Sequence, residues 1–438
     1  MSKPTTYFTC YEHQSLKIGD DCEGLVFSEH HYQALSRFHH PDLPYYNLIH
    51  NGVKFKSYVG VLQVGNLTIE VLPKADKSSS SGDNKWRQHL IDMLRVVGAF
   101  KVKAPTQASL SLKGGFILDI YFELFLKEVA YLMQRGLLKQ YRKTEGNQTA
   151  LKGSLHFSQH LRHNLVRQER FYTRHTTYDT QHLIHQLLRQ TLHLIRQLNQ
   201  RPALSSKVGA LLLNFPEMPL LNRVTEATFE RLPQSRQTEA YQPALDIARL
   251  LLLNYHPDVS RGQNHVLALM FDMNLLWERF IAITLRQDPK KTFDVKAQLS
   301  QKFWESEALN KTSWLRPDIL LTQGQATYVL DTKWKNLTSS NPSASDLQQL
   351  YAYLNYFNAQ KVALIYPGRE NETRVGEFIK ETDQAVVNQT NECSVITFAT
   401  KGNVSEWQDK IREVMRGWIF PKEITDEETN EKEITNRR

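Results

Sequence analysis

Residues 316–335, RPDILLTQGQATYVLDTKWK, constrain this chain more than any other stretch. Gly324-Gln325 reads as the centre of a two-residue turn between two apolar runs, the pattern of a β-hairpin. With that turn, Gln323 pairs with Ala326, and counting outward places Asp318 directly opposite Asp331. Lys333, two residues beyond Asp331, shares their sheet face because strand side chains alternate with a period of two. Directly paired residues hold their Cβ atoms about 4.5–5.5 Å apart. Two carboxylates that close repel unless one is protonated or a cation lies between them. Ile319, Leu320, Leu321, Val329 and Leu330 make both strands interior ones, where charges seldom stay without a role.

A hard divalent ion resolves the conflict. Mg²⁺ takes carboxylate and water oxygens, neutralises a phosphoryl oxygen and acidifies a bound water. Asp318 and Asp331 are therefore candidate catalytic metal ligands for one or two Mg²⁺ ions. Lys333 is the candidate cation for the attacking water or for charge developing on phosphorus. An Asp-x-Lys spacing alone carries little, since Asp83/Lys85, Asp288/Lys290 and Asp294/Lys296 share it. Of the Pro-Asp dipeptides, ending at Asp42, Asp258 and Asp318, only the last has an acid-x-Lys shortly downstream. The bland alternative is an exposed hairpin with surface Asp–Lys pairs. Glu278, in LLWERFI, is the candidate third carboxylate, or a surface glutamate on an amphipathic helix. Asp346, Gln349 and Tyr353 share one helix face. Gln349 and Tyr353 are candidates to orient the lysine or meet a phosphate, with ordinary helix packing as the alternative.

The rest of the chain divides by composition and period. Its 438 residues, 41% apolar and 23% charged, are globular and exceed one ordinary domain. The pattern is α+β and multidomain. Residues 1–100 read as a β-rich N-terminal domain, with a hairpin around Gly65-Asn66 and a Ser-rich loop at 75–85. Residues 101–260 read as a mainly helical, basic middle, with helices at 116–135, 180–199 and 239–254. Residues 261–420 read as an α/β nuclease core with a mixed sheet, opened by a long helix over 264–287. The tail 421–438 is acidic and expected to be disordered. Cys10, Cys22 and Cys393 build neither a disulfide framework nor a four-ligand zinc site. Without a secretion signal or an apolar run long enough for a membrane, the chain is expected in the cytoplasm, away from membranes.

Charge is concentrated. The net charge is +8, yet residues 135–201 alone hold twelve Lys/Arg against three acids, with seven histidines. Arg162, Arg167, Arg170 and Arg174 are the candidate phosphate contacts, with Phe157, Phe171, Tyr172 and Tyr178 interleaved. A solvated helical face is the alternative. His156 and His160, four apart, lack nearby acids or cysteines and read as packing residues.

At this point the residues resemble a family. The 264–398 module looks like a PD-(D/E)xK nuclease, and the whole chain is similar to the McrC family, the nuclease subunit of McrBC-type modification-dependent restriction systems. The stretches that carry the resemblance are YVGVLQVGNLTIEVLPK (58–74), LKGSLHFSQHLRHN (151–164), NLLWERF (274–280), RPDILL (316–321), VLDTKWK (329–335) and DLQQLYAY (346–353). The resemblance implies a Mg²⁺-dependent endonuclease acting on double-stranded DNA with modified cytosine. It also implies a McrB-like AAA+ GTPase ring as partner, whose GTPase the N-terminal part stimulates. It places Asp318, Asp331 and Lys333 in catalysis, with Glu278 following from the Trp-Glu-Arg match. No G-x-x-x-x-G-K-[S/T] motif occurs, so this chain is expected to bind no nucleotide itself. The rival readings are a non-catalytic activator of a partner NTPase and a stand-alone DNA repair nuclease.

Overall fold

The computed structural model describes residues 6–420 except 23, 41–42, 74–82, 99–115, 200, 257–264, 308–309, 336–340, 380–390 and 401. Most of the expected Ser-rich loop and the whole acidic tail lie outside the described residues; 83–85 open a helix. The chain starts with β1 (Thr6–Tyr11), β2 (Ser15–Lys17), β3 (Asp21–Cys22), β4 (Leu25–Val26) and α1 (Glu29–Phe38). Then come β5 (Tyr46–Ile49), β6 (Gly52–Phe55), β7 (Tyr58–Val64) and β8 (Leu67–Leu72). The β7–β8 hairpin turns at Gly65, whose φ of 59° suits glycine. Phe8, Val53, Leu62, Ile69 and Val266 pack on one side of this sheet. Val59, Val61 and Leu72 on the other side join the main core with α2 (Asp83–Val97) and α3 (Ile117–Arg135).

The middle corrects one expectation. It continues with β9 (Gln140–Gln148), β10 (Ser154–Leu155), α4 (Phe157–Asn164) and β11 (Phe171–Asp179). The three strands form an antiparallel sheet, order β10-β11-β9. Arg142, Lys143 and Arg174 of the basic segment thus stand on strands rather than on a helical face, while the middle as a whole remains mainly helical. QYRKTEGNQ has no apolar alternation to announce a strand, because neither of its faces is fully buried. Helices return with α5 (Leu183–Leu198), α6 (Pro202–Asn214), α7 (Glu226–Glu230) and α8 (Gln242–Leu253).

The expected long helix over 264–287 is also corrected. After β12 (Tyr255–His256), residues Val266–Asp272 form β13, and only Met273–Arg286 form helix α9. An apolar run such as VLALMF fits a buried strand or a buried helix equally well by period. Pairing decides it: β13 lies antiparallel on β7, giving the sheet order β1-β8-β7-β13-β12. At Gly60 (φ 133°) any Cβ would collide with the Leu269 carbonyl, so the close approach of these strands requires glycine. The N-terminal sheet therefore takes one strand, β13, from beyond residue 260 and runs without a linker into α9.

The C-terminal part contains β14 (Asp294–Ala297), β15 (Gln301–Ser306), β16 (Lys311–Leu315), β17 (Ile319–Gln323) and β18 (Ala326–Thr332). It ends with α10 (Ala344–Tyr356), β19 (Lys361–Gly368), β20 (Glu372–Glu377), β21 (Glu392–Ala399) and α11 (Val404–Ile419). Six strands make one sheet, order β14-β17-β18-β19-β21-β20. The β18–β19 and β19–β21 pairs are parallel and the others antiparallel, so the sheet is mixed. The protein is a multidomain α/β fold with several sheets. The β15–β16 hairpin and the edge strand β20 were not foreseen. Among the described residues no helix is long and apolar enough to cross a membrane.

Candidate active site

The β17–β18 register is the one the turn dictates: Gln323 faces Ala326 and Ile319 faces Leu330, with Gly324 at φ 57°. One step further, Asp318 and Asp331 meet at the end of the ladder. Asp318 Oδ2 accepts hydrogen bonds from the Thr332 backbone N–H (2.7 Å) and its hydroxyl (2.8 Å). The Asp318 carbonyl accepts from Gln298 N–H at 2.9 Å, tying it to the exit of β14 as well. Both side-chain bonds go to Oδ2.

Asp331 is buried, 2% exposed, on the interior strand β18. Its carboxyl is pushed up to about 6, by burial first and by the Asp318 charge next, with Lys333 pulling the other way. Lys333 Nζ stands 2.7 Å from Asp331 Oδ2, yet that oxygen receives no well-directed hydrogen bond. For Lys333, burial favours the neutral amine, but Asp331, Asp318 and Asp346 outweigh it and raise its pKa. Lys333 N–H donates to the Ile365 carbonyl at 2.9 Å, which continues the β18–β19 ladder through the lysine.

Helix α10 covers this end of the sheet, capped by Ser343, whose hydroxyl accepts from Asp346 N–H. Gln349 Oε1 lies 3.5 Å from Lys333 Nζ, and Gln349 Nε2 donates to the Tyr353 hydroxyl at 2.8 Å. That hydroxyl donates to the Arg316 carbonyl at 3.0 Å. A relay of contacts thus runs from the chain before Asp318, across α10, to the lysine. On the other side, Glu278 of α9 is half-buried. Burial and the nearby Asp318 raise its pKa, and a bond from Gln298 opposes them. Gln298 also accepts from Arg316.

Asp318, Asp331, Lys333, Gln349 and Tyr353 are therefore neighbours, with Glu278 electrostatically coupled to Asp318. Sequence reasoning missed two members, Thr332 and Gln298, and gave Asp346 a place on the helix face but no role. Thr332 holds Asp318. Asp346 bridges Lys335 (2.6 Å) and Lys333 (4.0 Å), and its carboxyl is lowered because these lysines outweigh its burial. Gln298 joins Glu278 to Arg316. The shared face of Asp346 with Gln349 and Tyr353 was the available signal for Asp346; Thr332 and Gln298 had none.

Among the described residues no three His, Cys, Asp or Glu side chains converge as a closed metal cage. Mg²⁺ keeps several waters and is commonly held by one or two carboxylates. Two paired carboxylates, one underbonded oxygen and a raised carboxyl pKa are a donor set that fits such an ion.

Of the four candidate phosphate-contact arginines, Arg162 lies on α4, Arg174 on β11, and Arg167 and Arg170 in the loop between them. Arg162 and Arg167 are exposed. Arg170 sits 3.9 Å from Glu169, and Arg174 pairs with Glu145. Phe157 and Tyr178 are exposed, while Phe171 and Tyr172 stack on His160 and His163. His160 Nδ1 contacts Asn164 and Tyr172 N–H, a packing role.

The profile of the McrBC 5-methylcytosine restriction system component family matches residues 53–367. Among solved structures, the chain is similar to one in the refined half-complex from the tetradecameric assembly of Thermococcus gammatolerans McrB AAA+ hexamers with bound McrC. The TM-score is 0.70 at 20% identity, over 94% of this chain and 100% of that one. At that identity the likeness shows a shared fold. The cryo-EM structure of the Thermococcus gammatolerans McrBC complex aligns at 20% identity over 64% of this chain and 88% of that one, with a TM-score of 0.47. No curated protein sequence matches the chain.

Proposed function

The chain belongs to the McrBC 5-methylcytosine restriction system component family, and on that premise we propose that it is the McrC-type subunit, a Mg²⁺-dependent DNA endonuclease of the PD-(D/E)xK type. The observation that carries the reading is the Asp318–Asp331–Lys333 constellation at the end of the β17–β18 ladder. Asp318 and Asp331 would hold the ion, with Glu278 as the third carboxylate. When bound, Mg²⁺ supplies charge neutralisation at a phosphoryl oxygen and a water of lowered pKa.

The protein's own groups do the rest. Thr332 fixes Asp318 in one rotamer. Lys333 stays charged and is held toward Asp331, where it can donate to an oxygen that gains charge as the phosphodiester is attacked. Gln349 steadies the lysine, and Tyr353 anchors Gln349 to the Arg316 backbone. Arg162, Arg167, Arg170 and Arg174 supply backbone contacts outside the catalytic sheet, to DNA or to the partner. The partner is a McrB-like AAA+ GTPase ring, and the substrate is double-stranded DNA carrying modified cytosine, in the cytoplasm.

The test combines the protein, a McrB-type GTPase, GTP, Mg²⁺ and cytosine-methylated DNA. Wild type is expected to cut and Asp331→Ala is expected not to. Cutting that persists in Asp331→Ala sinks the site assignment, and a wild type that never cuts but stimulates the GTPase makes the chain a non-catalytic activator.

A further inference from the structure

The catalytic lysine is followed by Trp334, which the site itself does not use. Strand alternation sends Lys333 toward Asp331 and Trp334 to the opposite side. There the Trp334 indole N–H donates to Glu12 Oε1 at 2.7 Å. Both residues are buried, 6% and 7% exposed. Glu12 directly follows the first strand of the N-terminal sheet. It sits in the tight turn after β1, its own N–H bonded to the Leu72 carbonyl at 3.0 Å, and His13 beside it takes φ 61°. A residue so fixed is a firm support.

Trp334 also packs edge-on against Trp277, with ring centroids 5.3 Å apart, and Trp277 stacks on Trp407 of α11. Trp277 directly precedes Glu278. The neighbours of two site residues therefore meet behind the site, on an aromatic wall. Helix α9, which carries Glu278, is in turn the direct continuation of β13 in the N-terminal sheet. The main chain at Lys333 is tied to β19 through Ile365, and Trp334 is the next buried anchor. A strand that lets the indole leave Glu12 must rotate, and rotation swings Lys333 away from Asp331.

We infer that Glu12 is a positioning residue of the nuclease site: through Trp334 it holds the end of β18 so that Lys333 faces Asp331, and the N-terminal sheet is thereby a structural part of the active centre. This rests on the nuclease reading above. The role belongs to the oxygen that accepts the indole proton, so an amide oxygen in the same place serves as well.

The experiment uses the full chain with a McrB-type GTPase, GTP, Mg²⁺ and a cytosine-methylated duplex. Glu12→Ala is expected to lower kcat roughly tenfold to a hundredfold, the range that misplacement of a catalytic group by about 1 Å produces, while KM for DNA is unchanged. Glu12→Gln is expected to restore most of kcat. In parallel, the Trp334 indole N–H, assigned by its loss in Trp334→Phe, should be protected from solvent exchange in wild type and Glu12→Gln and unprotected in Glu12→Ala. Should Glu12→Ala fail to fold, Trp334→Phe takes its place, with the same expected fall in kcat at constant KM. Equal kcat in wild type and Glu12→Ala overturns the inference, as does a Glu12→Gln enzyme as slow as Glu12→Ala. A wild type that cuts no DNA is a different failure: it removes the nuclease reading, and the inference falls with it.

Discussion

Two hairpins of this protein each bury an acid in an interior strand, and they treat it differently. Glu70, on β8, is fully buried. Arg87 Nε reaches both its oxygens at 3.0 and 2.9 Å, and Ile117 N–H adds a bond at 2.9 Å. Asp331, on β18, has a single cation at its side, an oxygen without a directed donor, and carboxylates on two sides. The first acid is saturated by its own fold. The second is less fully compensated, which under the nuclease reading proposed above leaves room for a cation and a phosphate. Burial alone does not mark a site.

The contrast can be broken most sharply at the second hairpin. Asp331→Asn and Lys333→Met are expected to lower DNA cleavage by on the order of 10³-fold, the scale of losing a metal ligand or a charge-stabilising donor. The melting temperature of Asp331→Asn should not fall, because the change removes a repulsion. A large stability loss there would mean that Asp331 is structural, like Glu70. At the first hairpin the order reverses. Glu70→Ala takes the paired carboxylate from half-buried Arg87 and from Ile117 N–H and is expected to cost about 1–3 kcal/mol, read by denaturant unfolding.

Acidity sharpens the comparison further. With Asp331 raised to about 6, the folded protein keeps a proton that the unfolded chain, at an ordinary aspartate value, has released. Stability from this group is therefore fullest below about pH 4 and is lost as pH rises through about 6. In EDTA, the melting temperature of wild type relative to Asp331→Asn should fall across that window, and Mg²⁺ should restore it at pH 8. A difference that does not change with pH would refute the unbalanced charge. The smallest effect is expected from Tyr353→Phe, which loses one hydroxyl in the relay to Lys333 and about 0.5–1.5 kcal/mol of stability, with cleavage reduced less than in any variant above.

Legibility in the sequence followed the range of the interaction. The hairpin at Gly324 was readable because a tight turn sets register and register sets which side chains meet. The face carrying Gln349 and Tyr353 was readable because helical spacing is local. The start of α9 was misread because VLALMF has no period that separates strand from helix, and its partner β7 lies far upstream. The sheet made by β9 and β11 was hidden by polar strands without a buried face. Glu12 and Trp334 are 322 residues apart, and nothing local in either segment announces the other. What pairs within a turn can be counted off; what pairs across the chain has to be seen.

The placement of β13 has a consequence for how the chain is made. Strand β7 is apolar and buried along most of its length, and its two neighbours are β8 and β13. During synthesis β8 arrives at once, but β13 leaves the ribosome only after the whole middle region. Until then β7 is an open, apolar sheet edge, the kind that recruits foreign strands, and closing it is a contact of high sequence separation and so a slow one. A nascent chain stopped before residue 266 is thus a sticky half-sheet, and the last strand that completes it is the same piece of chain that leads into helix α9 and the C-terminal sheet.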